Sequence, residues 1–243
     1  MIVLFTDFGL SGPYVGQLKA VLYKRAPGLP VIDLFADAPV HNIRANAYLL
    51  AAYSEGLTEG TVFLGVVDPG VGSQQRQPVA LKADGRWFVG PDNGLFDIVC
   101  RRAERAELWR IDWRPERLSS SFHGRDLFAP VAAMIAMGDL SALTAITPAY
   151  DRLGQWPEEL SEIIYIDHFG NLLTGIRAAS MQLDACLYYR AKPIPWVNTF
   201  SDVPTGTPLC YENSNGLLEI AVNQGRADEH FKAKIGDELA LVE

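Results

Sequence analysis

Two hydrophobic periods alternate along residues 1 to about 145. Apolar runs at 2–6 (IVLFT), 30–35 (PVIDLF) and 61–67 (TVFLGVV) read as strands. The third is apolar throughout, the pattern of a strand covered on both faces. Between them, residues 14–27 carry Val15, Leu18, Val21 and Leu22 at helical spacing and stop at Pro27. Residues 42–56 repeat that pattern, with Asn42 placed to cap the start and Gly56 to end it. Residues 78–83 and 86–90 flank Asp84-Gly85, a hairpin turn. Residues 125–138 read as a further helix with Pro130 in its first turns. This alternation predicts an α/β domain with a mostly parallel central sheet.

The pattern then changes. Residues 145–160 break it with prolines and no periodicity, and 149–160 read as a linker. Beyond it, EIIYID, NLLTGI, ACLYYR, LLEIAV and ELALV are short strand-like runs separated by Gly, Pro, Asn and Ser. They predict a smaller antiparallel all-β domain, a barrel or a sandwich. The expected division is therefore 1–148 for the α/β domain and 161–243 for the β domain.

Composition narrows the function. No apolar run reaches the ~18 residues of a membrane helix. The start of the chain lacks the basic stretch and small-residue cleavage site of a signal peptide, so a cytoplasmic location is expected. The net charge of −8 comes with no basic block, which argues against nucleic acid as a partner. Cys100, Cys186 and Cys210 are widely spaced and none belongs to a C-x-x-C pair, so neither a zinc site nor a disulfide framework is supported.

Candidate chemistry gathers where strands end, the edge at which open α/β sheets bind ligands. Asp7 follows the first strand, Asp68 the third, and Gly90-Pro91-Asp92-Asn93-Gly94 the second arm of the hairpin. His123 stands just before a helix. Each alone is also good turn or cap chemistry; together they present Asp, Asn and His on several loops toward one edge. Asp7-Phe8-Gly9 matches the magnesium-holding tripeptide of protein kinases. The glycine-rich loop, strand lysine and catalytic loop that must precede it are missing, which excludes a kinase. G-x-x-x-x-G-K-[ST] is absent, against a P-loop nucleotidase. No closely spaced His pair supports a metal site.

TDFG, VVDPGVGSQQR, GPDNGLF, SFHGRDLFAP, IDHFGNLLT and NSNGLLEIA run in order from residue 6 to 221. This set resembles the S-adenosylmethionine (SAM) hydrolase family, also called SAM hydroxide adenosyltransferases, whose fold is shared with SAM-dependent fluorinases and chlorinases. The resemblance implies hydrolysis of SAM to adenosine and L-methionine, with no cofactor. It also implies a homotrimer, with active sites between the first domain of one subunit and the second domain of its neighbour. Asp68, Arg76 and His123 match the hydrolases' charged set. The fluorinase has Tyr at the position of Asp68, Thr at Val71 and its halide-contacting Ser at Gly124, so the hydrolase is favoured over the halogenase. By the same matching, Asp7 holds the ribose hydroxyls, with Phe8 beside it. Asp167, Phe169 and Asn171 form the adenine-side loop. Ser214 contacts the methionine end, and Glu219 and Val222 follow on the next strand, Val222 through its backbone. Phe169 and Val222 read equally as core packing. Gly12 departs from the family, which usually has Asp there to bind the methionine ammonium; Ser11 and Tyr14 are the nearby polar groups. A SAM- or nucleoside-binding module without catalysis is the non-enzymatic alternative. A free Asp titrates near 3.9, and a neighbouring Arg is expected to lower Asp68 further.

Overall fold

In a computed structural model, residues 1–73, 76–147, 155–181 and 186–242 are described. Two compact units are present: Met1–Ala51 with Leu57–Gln155, and Ala52–Gly56 with Trp156–Glu243. Residues 149–154 of the expected linker lie outside the described residues.

The first unit is built on one seven-stranded sheet. Its strands are β1 (Ile2–Thr6), β2 (Val31–Phe35), β3 (Val62–Val66), β4 (Pro78–Ala83), β5 (Arg86–Pro91), β6 (Ala106–Ile111) and β7 (Leu143–Ile146), in the order β2-β1-β3-β5-β4-β6-β7. The pairings of β1 with β2 and β3, and of β3 with β5, are parallel. Those of β4 with β5 and β6, and of β6 with β7, are antiparallel. The sheet is therefore mixed, which corrects the expectation of a mostly parallel one. The cause is local. The Asp84-Gly85 turn reverses the chain with both residues at positive φ (44° and 79°), so β4 and β5 must run antiparallel. β6 then adds to β4's open edge, and β7 to β6. β6 and β7 escaped the sequence reading because their alternation is brief and half exposed.

Helices α1 (Tyr14–Arg25), α2 (Ile43–Ser54), α3 (Asp97–Arg102) and α4 (Ala129–Ala136) connect the strands. Asn42 caps α2 as expected, its Oδ1 accepting the Ala45 amide at 3.1 Å. Residue alternation splits each strand between two faces. Ile2, Leu4, Val62, Leu64 and Val66 join Leu18 and Leu22 of α1 and the apolar residues of α4 in one core. The expected helix at 125–138 begins instead as a π-helical turn, Gly124–Phe128, and becomes α-helical at Ala129. Pro130 sits in the first turn of that α segment, where its missing N–H costs little.

β3 and β5 come together at two glycines. A Cβ on Gly90 would lie 2.1 Å from the Gly65 carbonyl oxygen. Gly90→Ala is therefore expected to destabilise the protein by about 3 kcal/mol or more, since backbone must move to admit one methyl. The measurement is the denaturant midpoint, and an unchanged midpoint would show that the strands have slack.

The second unit has two antiparallel sheets, the first of them formed by β8 (Leu160–Ile166), β9 (Leu172–Arg177), β12 (Pro208–Glu212) and β13 (Leu217–Val222), in the order β12-β13-β9-β8. β10 (Cys186–Tyr189), β11 (Lys192–Ile194) and β14 (Ala240–Val242) form the second, ordered β11-β10-β14. Leu172, Ile220, Leu187, Ile194 and Phe231 draw both sheets into one core. Among the described residues no helix is long and apolar enough to cross a membrane.

Candidate active site

In the first unit, β1 and β3 are neighbours in parallel register, with Thr6 opposite Val66. The residues just beyond that pair, Asp7 and Asp68, therefore leave the sheet at the same edge. A cavity of ≈ 320 Å³ opens there, lined by Asp7, Phe8, Tyr14, His41, Asp68 and His123 among others. Phe122 packs edge-on against Phe8 and Tyr14, which are tilted to each other, with ring centroids 5.6–6.0 Å apart. Of the polar groups near Gly12, Tyr14 reaches this wall and Ser11 does not. Gly12 itself is at φ 99°, a conformation that an L side chain rarely adopts.

Arg76 donates from Nε to Asp68 Oδ1 at 2.6 Å, and from Nη2 to Asp68 Oδ2. The two side chains are only 8% and 5% exposed. The Arg76 guanidinium also lies 5.9 Å from the centre of the Phe128 ring. Burial pushes the Asp68 carboxyl above its ordinary value of 3.8, against the opposing pull of Arg76 and His123. The expectation that Arg76 would leave Asp68 with a lowered value is thus corrected: desolvation outweighs the ion pair. Burial, and then the Arg76 charge, hold His123 below its ordinary 6.5. His123 precedes the π-helical turn and makes no capping bond with its side chain. The loop carrying Asp68 is pressed onto the loop before His123. Gly72, at φ 83°, sits where a Cβ would meet the Ser120 carbonyl oxygen at 2.5 Å.

Asp7 Oδ2 accepts the His41 backbone N–H at 3.1 Å, and the His41 ring nitrogen lies 3.8 Å away. The His41 amide takes one acceptor position of Oδ2, and a carboxylate has further acceptor positions on its oxygens. A Cβ on Gly124 would lie 3.3 Å from Phe8 and 3.4 Å from Phe122, so a serine there would push the aromatic wall.

The second unit has its own cavity, ≈ 920 Å³ and more open, lined by Asp167, Phe169, Asn171, Ser214, Glu219 and Val222 with others. All six second-domain residues expected from the sequence are thus brought together. Asp167 accepts from the Asn171 backbone N–H at 2.8 Å and from its Nδ2 at 3.1 Å, fixing the loop between β8 and β9. Phe169 is 70% exposed, which excludes the core-packing reading for it. Val222 is buried in the β-unit core, so its side chain does pack there. Glu219 is buried, accepting from the Tyr211 hydroxyl and from Asn213 Nδ2 at 3.0 Å. Burial raises the Glu219 carboxyl above its ordinary range. Tyr53, on the same cavity, is pushed up to about 12, first by burial and then by the Glu219 and Asp167 charges.

Sequence reasoning missed His41, Phe122, Tyr211, Asn213 and Arg226 as cavity residues. His41 stands just before an N-cap, and Phe122 and Asn213 lie inside the motifs SFHGRDLFAP and NSNGLLEIA; Arg226 comes in on a loop, and Tyr211 became visible only through strand pairing. Tyr211 is opposite Glu219 in the β12–β13 register. Among the described residues, no group of three His, Cys, Asp or Glu is placed to hold a metal ion.

Residues 2–145 match the SAM hydroxide adenosyltransferase N-terminal domain, and residues 161–240 the C-terminal domain of that family. The chain is 38% identical to the (R)-S-adenosyl-L-methionine hydrolase of Thermus thermophilus, over 99% of both chains. It is 23% identical to the fluorinase of Actinopolyspora mzabensis, over 97% of this chain and 95% of that one. A crystal structure of an uncharacterized conserved protein from Thermotoga maritima superposes with a TM-score of 0.90 at 32% identity, covering 100% of both chains. With both domains matched in order and a hydrolase relative aligned end to end, this two-domain chain belongs to the SAM hydroxide adenosyltransferase family.

Proposed function

We propose that this protein hydrolyses SAM to adenosine and L-methionine. The observation that carries the reading is the buried Asp68–Arg76 pair with His123 on one wall of a small aromatic cavity. A water attacks ribose C5′ in line with the C5′–S bond. The new C5′–O bond forms as the C5′–S bond breaks, and its electron pair stays on sulfur as the neutral thioether of methionine. The leaving group needs no proton, so the protein's task is to aim one water and exclude the rest. Positioning of this kind supplies up to roughly 7–11 kcal/mol. Asp68, held by Arg76 on both oxygens, aims the water; neutral His123 takes its proton. Asp7 holds the ribose diol.

The second-unit cavity suits the purine and amino-acid ends. Asn171 and the exposed Phe169 ring offer a hydrogen-bonding edge and a stacking face. Asp167 and Glu219 give it acidic character toward a cationic substrate. On this reading the two cavities meet across subunits of a homotrimer, for which light scattering in solution is the test. The two sheets around one core fit a sandwich for the second unit.

The halogenase alternative is disfavoured by Asp68 and by the crowding at Gly124. Incubation of the purified protein with SAM, followed by chromatography, should yield adenosine and methionine in equal amounts. A halogenated nucleoside on addition of chloride or fluoride, or unchanged SAM, would overturn the proposal.

The pH dependence follows from the two shifts. His123, held below 6.5, is still mainly neutral as pH falls through that value, so the proton acceptor remains available there. Turnover is then lost on the acid side, as His123 gains a proton at a pH below its ordinary 6.5 and Asp68 gains one at a pH above its ordinary 3.8. His123→Ala should remove the His-dependent part of this acid limb and lower the plateau by about 10²-fold. An identical limb in the variant would reassign the proton acceptor.

A further inference from the structure

The Gly90-Pro91-Asp92-Asn93-Gly94 loop stood out in the sequence, yet neither cavity uses it. Its Asn93 donates from Nδ2 to the Val67 carbonyl oxygen at 2.8 Å, across 26 residues of sequence. The same side chain accepts the Leu95 backbone N–H at 3.2 Å through Oδ1. Val67 is fully buried and lies one residue past the end of β3. The β3–β5 register runs only to Leu64 opposite Val89. Beyond it the strands touch through Gly65 and Gly90. Asn93 thus bridges the two strands where their ladder has stopped, and it does so at the peptide bond that leads into Asp68.

The geometry points to Asn93 as a positioning residue for the reaction, fixing the Val67–Asp68 peptide and so the direction in which the Asp68 carboxylate is presented. Only a carboxamide meets both demands. Its oxygen is locked by the Leu95 amide, which turns the NH₂ group toward Val67. A carboxylate of the same shape would set oxygen against carbonyl oxygen, and an alanine would leave the buried carbonyl without this donor. Arg76 holds Asp68 from the side-chain end and Asn93 holds it from the backbone end. The two constraints together leave the carboxylate little freedom.

This inference rests on the assignment of Asp68 to the reacting water. Asn93→Asp and Asn93→Ala should each lower kcat by about 10- to 100-fold, the scale of an ångström-sized misplacement. KM for SAM should move by less than about threefold, because Asn93 lines neither of the two cavities. In an Asp68→Asn background the same substitutions should have no further effect on kcat. A purely structural role predicts the opposite: unchanged kcat per folded molecule, or effects that add fully to those of Asp68→Asn. Either of these results overturns the proposal. A second measurement does not depend on turnover. Titration of the His123 imidazole, followed by NMR, should shift in Asn93→Ala because the Asp68 charge beside it moves; an unshifted titration also overturns it. If the wild-type protein releases no adenosine, the hydrolase reading fails, and the titration still decides whether Asn93 sets Asp68.

Discussion

Asp68→Asn is expected to lower kcat by about 10²- to 10³-fold, with KM for SAM nearly unchanged. The substitution keeps the shape of the side chain and removes its charge. One of the two oxygens gripped by Arg76 becomes an NH₂ group, so donor faces donor in a pocket from which water is almost excluded. Arg76 then keeps a buried charge with half a partner, which costs on the order of 3–5 kcal/mol. Two effects are therefore mixed in this variant, and turnover must be expressed per folded molecule. The double replacement Asp68→Asn with Arg76→Met separates them. It removes the uncompensated cation, and the packing of a methionine against Phe128 should return much of the stability. Turnover should stay low, because nothing aims the water. Recovery of both stability and turnover would reduce the pair to a structural ion pair and leave His123 to act alone.

Asp7→Ala should lower kcat/KM by about 10²- to 10⁴-fold. Two charge-assisted hydrogen bonds to a ribose diol contribute about 1.5–3 kcal/mol each. The geometry allows both. The His41 amide occupies Oδ2 from one side only, and a carboxylate has further acceptor positions on each oxygen. The structural cost should be small by comparison, since the lost internal bond is to a loop residue whose side chain is 72% exposed. The test is chemical as well as genetic. A SAM analogue lacking the ribose 2′-hydroxyl should be a poor substrate for the wild type. For Asp7→Ala it should be no worse than SAM itself. If the analogue loses as much with the variant as with the wild type, Asp7 does not hold the diol.

The first-domain site was legible because its residues follow strands that declare themselves. Residues 2–5 and 62–67 are runs without a polar side chain, which reads them as strands, and an aspartate just past each strand falls at the sheet's edge. The second-domain residues were read through ordered motifs, and each one lines a single cavity. Tyr211 was not legible. It faces Glu219 only because β12 pairs with β13 in one particular register, and no local pattern sets that register. Arg226 joins the same cavity from a loop, donating to the His168 carbonyl 58 residues away.

The sequence by itself determined the two-part organisation, the strand-end placement of Asp7 and Asp68, and the capping of α2 by Asn42. These depend on periodicity and on chemistry within a few residues, which act before the chain has folded. Only the tertiary structure decided three other things. The sheet is mixed, because late strands add to the open edge of a hairpin. Asp68 is raised where its arginine partner alone would lower it, because desolvation depends on everything packed around the pair. Asn93 reaches Val67 because parallel strands bring distant residues side by side, and the two glycines between them leave room for the close approach.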